Sequence, residues 1–383
     1  MFKTINSIFQ AHFSAQPINV IAPGRINLIG EHTDYNNGFV LPAAVDKSMY
    51  FAMGKSGDLT CSFHASDIGE SLEIDLSQSI EKSEKGWANY LLGILAELQK
   101  RGIDVQGVNC VFNSDIPIGA GMSSSAALES GFIFGLNELF NLGLNRMEMA
   151  KIGQRAEIDF VGLDCGIMDQ FASLHGKANH FIKLDCQTME YQYFPYNRDD
   201  IAIVLCDTKV SHNLAASEYN VRHQQCKKVV TFYQQFYPEI KTLRDISFDN
   251  FKLHEKKLDP TLRNRANHVL EDNLRVYAVG EMLFINNLEV AGGLLNKAHE
   301  SLREDYEVSC EELDFLVKTA SKVKSVLGSR MMGGGFGGCT INLVKKSHLN
   351  DFETFMKVAY QKEYDIDLPI YTVSLTDGVR LFP

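Results

Sequence analysis

NSDIPIGAGMSSSAALESG, residues 113–131, is the part of the sequence that constrains the fold most strongly. It follows an alternating, strand-like run, breaks at Pro117, turns through Gly119 and Gly121, and then opens an apolar helix with three serines. Free amides at a helix N-terminus attract phosphate, and glycine lets a ligand approach the backbone closely. The stretch therefore predicts a phosphate-binding loop, although a plain serine-capped helix fits it equally well. It lacks the G-x-x-x-x-G-K-[ST] pattern of the P-loop NTPases.

A second glycine-rich stretch, MMGGGFGGCTINLV, occupies residues 331–344. Gly333, Gly335 and Gly338 fit the pattern G-x-G-x-x-G. A dinucleotide-binding fingerprint must open a helix, whereas the residues after this stretch continue as a strand. We therefore predict a loop that packs closely against the first loop or against a bound ligand.

A third stretch, APGRINLIGEHTDYNNG at residues 22–38, crowds charged side chains into a turn-rich segment. Arg25, Glu31, His32 and Asp34 could hydrogen-bond the hydroxyls of a polyhydroxylated ligand. A solvated, charged loop fits the same residues. A metal site at His32 and Asp34 is not expected, because no further His or Cys lies at ligand spacing.

The order of apolar patterns predicts a mixed α+β protein rather than a strictly alternating parallel sheet. Strands are predicted at residues 18–22, 48–53, 105–113, 200–207, 339–344 and 370–375. Helices are predicted at residues 87–101, from the serines to about 140, and at about 213–236 and 266–285. A polar stretch at 196–199 suggests two domains, residues 1–198 and 199–383.

The composition limits the kinds of molecule that this protein is expected to bind. The 383 residues carry a formal net charge of −11, which disfavours nucleic-acid binding. No apolar run reaches the length of a membrane span, and the first residues lack a signal-peptide pattern, so we expect no membrane association and a cytoplasmic location. The eight cysteines form no C-x-x-C pair and are expected to be mostly buried, reduced thiols.

Taken in order, the three stretches resemble the GHMP family of small-molecule kinases, and residues 22–38 resemble the galactokinase signature within it. Further matching blocks are WANY at 87–90, CGIMDQFAS at 165–173, SEYNVRHQQC at 217–226 and SLREDYEVSCEELD at 301–314. The resemblance covers essentially the whole chain. It departs at Met122, where the family usually has Leu, and at Ile158, where His is common.

This resemblance implies a fold and an activity. The implied fold has a ribosomal-protein-like N-terminal domain and a ferredoxin-like C-terminal domain, with the active site in the cleft between them. The implied reaction moves the γ-phosphoryl group of ATP, with Mg²⁺, to the anomeric hydroxyl of galactose in a monomeric enzyme of galactose catabolism. Two alternatives stay open: a related sugar kinase acting on N-acetylgalactosamine or another sugar, and a galactose sensor without catalysis.

The resemblance also implies roles for single residues. Asp169 matches the catalytic base, and Arg25 matches the cation that supports it. The residues implied at the sugar, beside Asp169, are Glu31, His32, Thr33, Asp34, Gly166 and Tyr219. The residues implied at the phosphates are Gly119, Ala120, Gly121, Met122, Ser123, Ser124 and Ser125. Trp87 is implied at the adenine, and Ser125 and Glu157 at Mg²⁺.

Overall fold

The structure, a computed structural model, describes residues 1–211 and 215–383. The strands are β1 (Ile18–Asn27), β2 (Phe39–Val40), β3 (Pro42–Lys55), β4 (Thr60–Ala65), β5 (Glu70–Asp75), β6 (Val108–Ser114), β7 (His180–Asp185), β8 (Tyr191–Pro195), β9 (Ile201–Ser211), β10 (Val326–Met332), β11 (Gly337–Lys345), β12 (Ile370–Val373) and β13 (Arg380–Phe382). The helices are α1 (Phe2–His12), α2 (Ala88–Lys100), α3 (Ser124–Phe140), α4 (Arg146–Arg155), α5 (Met168–His175), α6 (Ala215–Gln234), α7 (Phe248–His254), α8 (Pro260–Phe284), α9 (Leu288–Glu304), α10 (Glu311–Ala320) and α11 (Leu349–Tyr364). The predicted α+β class and the strands and helices named from the sequence are confirmed, with ends shifted by a few residues. The start of the helix predicted at about 213–236 lies outside the described residues.

The largest sheet carries the first half of the site. Its strand order is β13-β1-β3-β6-β4-β5, with neighbouring strands antiparallel except for the parallel pair β4 and β6. Helix α3 lies on this sheet because two of its residues lack side chains. A Cβ at Gly131 would fall 2.2 Å from the ring of Phe51, and one at Gly135 would fall 2.2 Å from the sulfur of Met53. This close packing fixes the N-terminus of α3 beside β1 and β3.

A second sheet, of strand order β10-β11-β9-β12, carries the other half of the site. Strands β10 and β11 form an antiparallel hairpin whose tip is the second glycine-rich stretch, so the prediction that a strand rather than a helix follows it is confirmed. Helix α9 packs against β10, where Gly292 approaches the backbone of Leu327. A small third sheet has the order β2-β7-β8.

The two halves of the chain share contacts. Strand β13, at the end of the chain, pairs with β1, and one apolar cluster contains residues from both halves, such as Ile133 and Val276. The division at residue 198 therefore stays a prediction.

Six of the eight cysteines are buried and two, Cys165 and Cys310, are partly buried. Among the described residues, no helix combines the length and the apolar character needed to cross a membrane.

Candidate active site

An ion pair between the buried Arg25 and the partly buried Asp169 joins β1 to the first turn of α5. Arg25 Nε donates to Asp169 Oδ1 at 2.7 Å and Arg25 Nη2 donates to Oδ2 at 2.6 Å, which is the paired geometry of a strong guanidinium–carboxylate contact. Burial acts to lower the pKa of Arg25, but the charge of Asp169 and its hydrogen bonds offset this effect and the pKa is raised. Arg25 therefore stays charged within the site.

The same pair contacts the predicted phosphate loop. Arg25 Nη1 donates to the carbonyl of Gly121, and the backbone amide of Arg25 donates to the carbonyl of Met122 at 3.0 Å. The Ser123 hydroxyl donates to Asp169 Oδ2. Residues that lie far apart in the sequence, at 25, 121–123 and 169, thus meet at one point.

A cavity of about 130 Å³ opens beside this pair. It is lined by Arg25, Glu31, His32, Asp34, Ser125, Glu157, Leu163, Cys165, Gly166, Met168, Asp169, Tyr219, Gly333 and Gly334. The structure therefore brings together every residue predicted at the sugar except Thr33. The Thr33 hydroxyl points away, into hydrogen bonds with the carbonyls of Gly30 (2.9 Å) and Phe39 (2.6 Å). Thr33 stabilises the backbone of this turn, and its side chain does not line the cavity.

Glu31 is fixed by a residue that sequence reasoning missed. Arg330, fully buried at the end of β10, donates from Nη2 to Glu31 Oε1 at 3.0 Å, and the Gly333 amide donates to the same oxygen at 3.0 Å. Arg330 also donates to the backbone carbonyls of Asn27 and Leu28. The only sequence signal for it is an arginine just before the second glycine-rich stretch.

Asp34 has an unusual environment. Burial raises the pKa of its carboxyl, and the nearby negative charge of Asp169 raises it further, to about 7. Gly166 packs on this carboxyl so closely that a Cβ would fall 2.0 Å from Asp34 Oδ2. A residue larger than glycine at 166 would displace Asp34.

The predicted phosphate loop leads from β6 into α3 and packs against the tip of the β10–β11 hairpin. A cavity of about 190 Å³ lies between Gly119 and Gly121 on one side and residues 332–338 on the other. Beside the cavity the two segments touch, because a Cβ at Gly121 would lie 3.5 Å from the backbone oxygen of Met332. The prediction that the second glycine-rich stretch packs against the first loop is confirmed by this contact. The side chains of Ala120 and Met122 are buried, so these two residues can offer only backbone groups.

A third, larger cavity of about 610 Å³ lies on the other side of the loop. Trp87, Tyr90, Phe112, Ile116 and Leu128 give it a mainly aromatic and apolar wall. The indole nitrogen of Trp87 donates to Glu70 Oε2 at 2.7 Å, which fixes the ring. Ser125 lines both this cavity and the polar one beside Asp169, so the two cavities meet at the first turn of α3.

Ser125 and Glu157 fit a shared magnesium ion. Both line the polar cavity, and Glu157 accepts hydrogen bonds from the Cys165 thiol (3.0 Å) and from Gln170 Nε2 (3.1 Å). Burial raises the pKa of Glu157. Within residues 1–211 and 215–383, no cluster of three His, Cys, Asp or Glu side chains is arranged to hold a metal. Mg²⁺ needs none when phosphate oxygens and water supply the other ligands.

Comparison with known proteins agrees with this geometry. The family model described as the GHMP kinase N-terminal domain matches residues 89–177, and the one for the GHMP kinase C-terminal domain matches residues 276–361. A crystal structure of mevalonate kinase shares the fold, with a TM-score of 0.65 at 18% identity over 94% of this chain and 100% of that one. Together, the matches define the class as the GHMP kinases.

More specific matches narrow the class. The model described as the galactokinase galactose-binding signature matches residues 7–55. Galactokinase from Thermotoga maritima is 42% identical over 363 residues, 95% of this chain and 99% of that protein, and galactokinase from Haemophilus influenzae is 37% identical over 375 residues, 97% and 96% of the two chains. The crystal structure of Lactococcus lactis galactokinase complexed with galactose has a TM-score of 0.94 at 33% identity and covers 100% of both chains. This chain belongs to the galactokinase family.

Proposed function

We propose that this protein transfers the γ-phosphoryl group of ATP to the anomeric hydroxyl of galactose, giving galactose 1-phosphate and ADP. One observation carries the proposal: a polar cavity and an apolar cavity meet at Ser125, with the Arg25–Asp169 pair on the polar side of the junction. The polar cavity suits a sugar, and the apolar cavity suits a nucleotide base. The junction is where a phosphoryl group has to pass from one substrate to the other.

The triphosphate would lie along the loop at residues 119–125. Amide groups at the N-terminus of α3 attract its negative charge, as does the helix dipole. Ser125 and Glu157 would hold Mg²⁺, which when bound neutralises charge on the phosphate oxygens. Arg25, whose raised pKa keeps it charged, stabilises the charge that grows on the transferring group.

Asp169 is the proposed partner of the reacting hydroxyl. It lies in the cavity wall, and Arg25 and Ser123 fix its carboxylate from two directions. A carboxylate in this position accepts the hydroxyl proton and orients the oxygen for attack. A positioned general base contributes about 10²–10⁴-fold to the rate.

The sugar would be oriented by the other polar groups of the wall. Glu31 and Asp34 offer carboxyl oxygens, and Tyr219 offers a hydroxyl. Gly166 contributes by its small size, because it leaves room for the Asp34 carboxyl. Glu31 is held by Arg330, so its orientation is set before the sugar binds.

An ATP-dependent ADP-release assay on galactose, N-acetylgalactosamine, glucose and mannose tests the proposal. We expect turnover with galactose and a product whose phosphate is on the anomeric oxygen, as read by NMR. A preference for N-acetylgalactosamine would assign the chain to the related kinase, and galactose binding without ADP release would favour the sensor.

The Arg25→Ala variant should lower kcat more than it raises KM for ATP, because the guanidinium contacts charge formed in the transition state. The cytoplasmic location and the monomeric state stay predictions.

A further inference from the structure

The side chain of Gln170, which follows Asp169 in α5, is fully buried and joins two carboxyl groups. Its Nε2 donates to Glu129 Oε2 at 2.9 Å and to Glu157 Oε2 at 3.1 Å, so each of the two amide hydrogens has an acceptor. Two carboxyl oxygens beside the same amide atom require that atom to be the nitrogen. Gln170 therefore has one orientation, in which it links α5 to α3 and to the turn Ala156–Val161.

The hydrogen bonds to Glu157 occupy one of its two carboxyl oxygens. Oε2 accepts from Gln170 and also from the thiol of Cys165, at 3.0 Å. Glu157 lines the polar cavity together with Ser125, the other residue expected to bind magnesium. Because two donors hold Oε2, Oε1 is the oxygen left for a metal ion. Removing a partner that orients a metal-binding carboxylate typically costs about 10–100-fold in metal affinity.

Glu129 holds the other side of the amide. It is fully buried in α3, one helical turn after Ser125, so both residues lie on the same face of the helix. Burial raises the pKa of its carboxyl well above the ordinary range, and the nearby charge of Glu157 raises it further, which favours the neutral form. Its Oε1 has no hydrogen-bond partner among the described residues, and a buried charge would be costly there. A neutral carboxyl still accepts the bond from Gln170 through Oε2.

Helix α4 closes the space around this amide. A Cβ at Gly153 would fall 2.9 Å from Cγ of Gln170 and 3.6 Å from Oε2 of Glu129. The stem of Gln170 thus packs against the backbone of α4, and its amide is held by hydrogen bonds at the other end. Both constraints act on the same side chain, so it cannot move without disturbing Glu157.

We propose that Gln170 and Glu129 are positioning residues for magnesium: Gln170 orients Glu157, and Glu129 orients Gln170. Neither side chain lines the polar cavity or the apolar one, so each acts through another residue. The inference rests on the proposed function in taking Glu157 as a ligand of Mg²⁺. Adjacent residues of α5 then serve the two halves of the reaction, with Asp169 at the hydroxyl and Gln170 behind the metal.

The first experiment measures Mn²⁺ binding to the protein–ADP complex from the EPR signal of free Mn²⁺, which needs no turnover. Gln170→Met replaces the amide by an apolar side chain of similar length. We expect it to weaken Mn²⁺ binding about 10–100-fold and to leave galactose affinity, measured by isothermal titration calorimetry, as in the wild type. Unchanged Mn²⁺ affinity, or an equal loss of galactose affinity, would overturn the proposal.

Two substitutions of Glu129 separate the hydrogen bond from the shape of the side chain, and they serve as second variants if Gln170→Met does not fold. Glu129→Gln keeps an oxygen that can accept from Gln170, so it should keep the Mn²⁺ affinity of the wild type. Glu129→Met has a similar length and no such acceptor, so it should weaken Mn²⁺ binding. Equal Mn²⁺ affinities in the two variants would overturn the role of Glu129.

Steady-state kinetics on galactose adds a second readout. In Gln170→Met, the Mg²⁺ concentration that gives half the maximal rate should rise by the same factor as the Mn²⁺ dissociation constant. At saturating Mg²⁺, kcat should return to that of the wild type, because the substitution changes metal affinity rather than the reacting groups. A kcat that stays low while the Mg²⁺ requirement is normal would mean that the substitution acts through Asp169, against the proposal.

Tyr233→Phe is the matched control. Tyr233 is equally buried, and its hydroxyl donates to the carbonyl of Phe251 at 3.0 Å, in an apolar cluster that contains neither Gln170 nor its hydrogen-bond partners. The variant loses one buried hydrogen bond and should leave Mn²⁺ affinity unchanged. A loss as large as that of Gln170→Met would show a general effect of destabilisation and would overturn the proposal.

Glu157→Gln separates this inference from the proposed function. If Mn²⁺ binding is unaffected by Glu157→Gln, Glu157 is not a ligand, and the proposed magnesium site fails together with the inference. If Glu157→Gln weakens Mn²⁺ binding whereas Gln170→Met does not, only the inference fails. Weaker binding in both variants, with Tyr233→Phe unchanged, is the expected result.

Discussion

Replacing Asp34 by asparagine should make the ligand-free protein more stable at alkaline pH while it weakens the sugar site. Asp34 is buried near Asp169, and the pKa of its carboxyl is raised to about 7. In the unfolded chain an aspartate has a pKa of about 3.9. Between these two values the folded protein binds a proton that the unfolded chain has released. The stability that Asp34 contributes is therefore complete below about pH 4 and is lost as the pH rises to about 7.

The size of the effect follows from the pKa difference. A shift of about 3 pH units at about 1.36 kcal/mol per unit gives about 4 kcal/mol at pH 8. Asparagine carries no charge at any pH and avoids this cost. The stability of Asp34→Asn minus that of the wild type should thus rise from near zero at pH 4 to about 4 kcal/mol at pH 8, which corresponds to several degrees in Tm.

Thermal unfolding without ligand, followed from pH 4.5 to 8.5, measures this difference. Asp104→Asn, at an exposed position, is the control and should give a Tm curve parallel to that of the wild type. A Tm difference for Asp34→Asn that is constant with pH, or a variant less stable than the wild type at pH 8, would refute the assignment of a buried, protonated Asp34. The same variant should bind galactose more weakly in isothermal titration calorimetry, because one acceptor oxygen is lost.

Three further outcomes are expected. Asp169→Asn should lose nearly all turnover and keep the circular dichroism spectrum and ATP affinity of the wild type; near-normal turnover would contradict its role at the hydroxyl. Trp87 is the only tryptophan, so intrinsic fluorescence should change saturably with ADP but not with galactose if its cavity takes the base; a change with galactose alone would place the base elsewhere. Two adjacent glycines of α9 should respond oppositely to substitution by alanine. At Gly292 a Cβ would fall 2.1 Å from a backbone oxygen of β10, so alanine should lower the free energy of unfolding in urea by about 1–3 kcal/mol. Gly293 has open space around it, so alanine there should raise the free energy of unfolding by about 0.5–1 kcal/mol. Equal effects at both positions would mean that the helix does not approach the strand so closely.

Local pattern was enough to predict most of the elements and the three stretches of the site. A strand, a glycine turn and a serine-opened helix follow from residues that are neighbours in the chain, and the structure has them as β6, the loop and α3. The roles of single residues came from the resemblance rather than from the pattern. The full-length matches to known galactokinases confirm the family to which the resemblance pointed, whereas the roles of single residues stay proposals.

Other features could not be read from the chain. Thr33 stands in the middle of the turn that we predict to contact the sugar, but its hydroxyl faces the backbone rather than the cavity. Arg330 is 299 residues from Glu31 in the sequence, and no pattern near either residue predicts their contact. Tyr35 and Tyr306 are 271 residues apart and meet through one hydrogen bond. Side-chain direction and long-range contact depend on how the sheets pack, which a periodic pattern does not encode.

The amino-acid sequence alone determined the α+β class, the phosphate-loop pattern and the resemblance to the family, because each of these depends on residues close together in the chain. Only the tertiary structure decided that Ser125 stands between two cavities, that Asp34 is forced toward its protonated form, and that the amide of Gln170 joins Glu129 to Glu157. These properties arise from burial and from partners contributed by distant segments. They exist only once the two sheets and the β10–β11 hairpin have come together around the cavity.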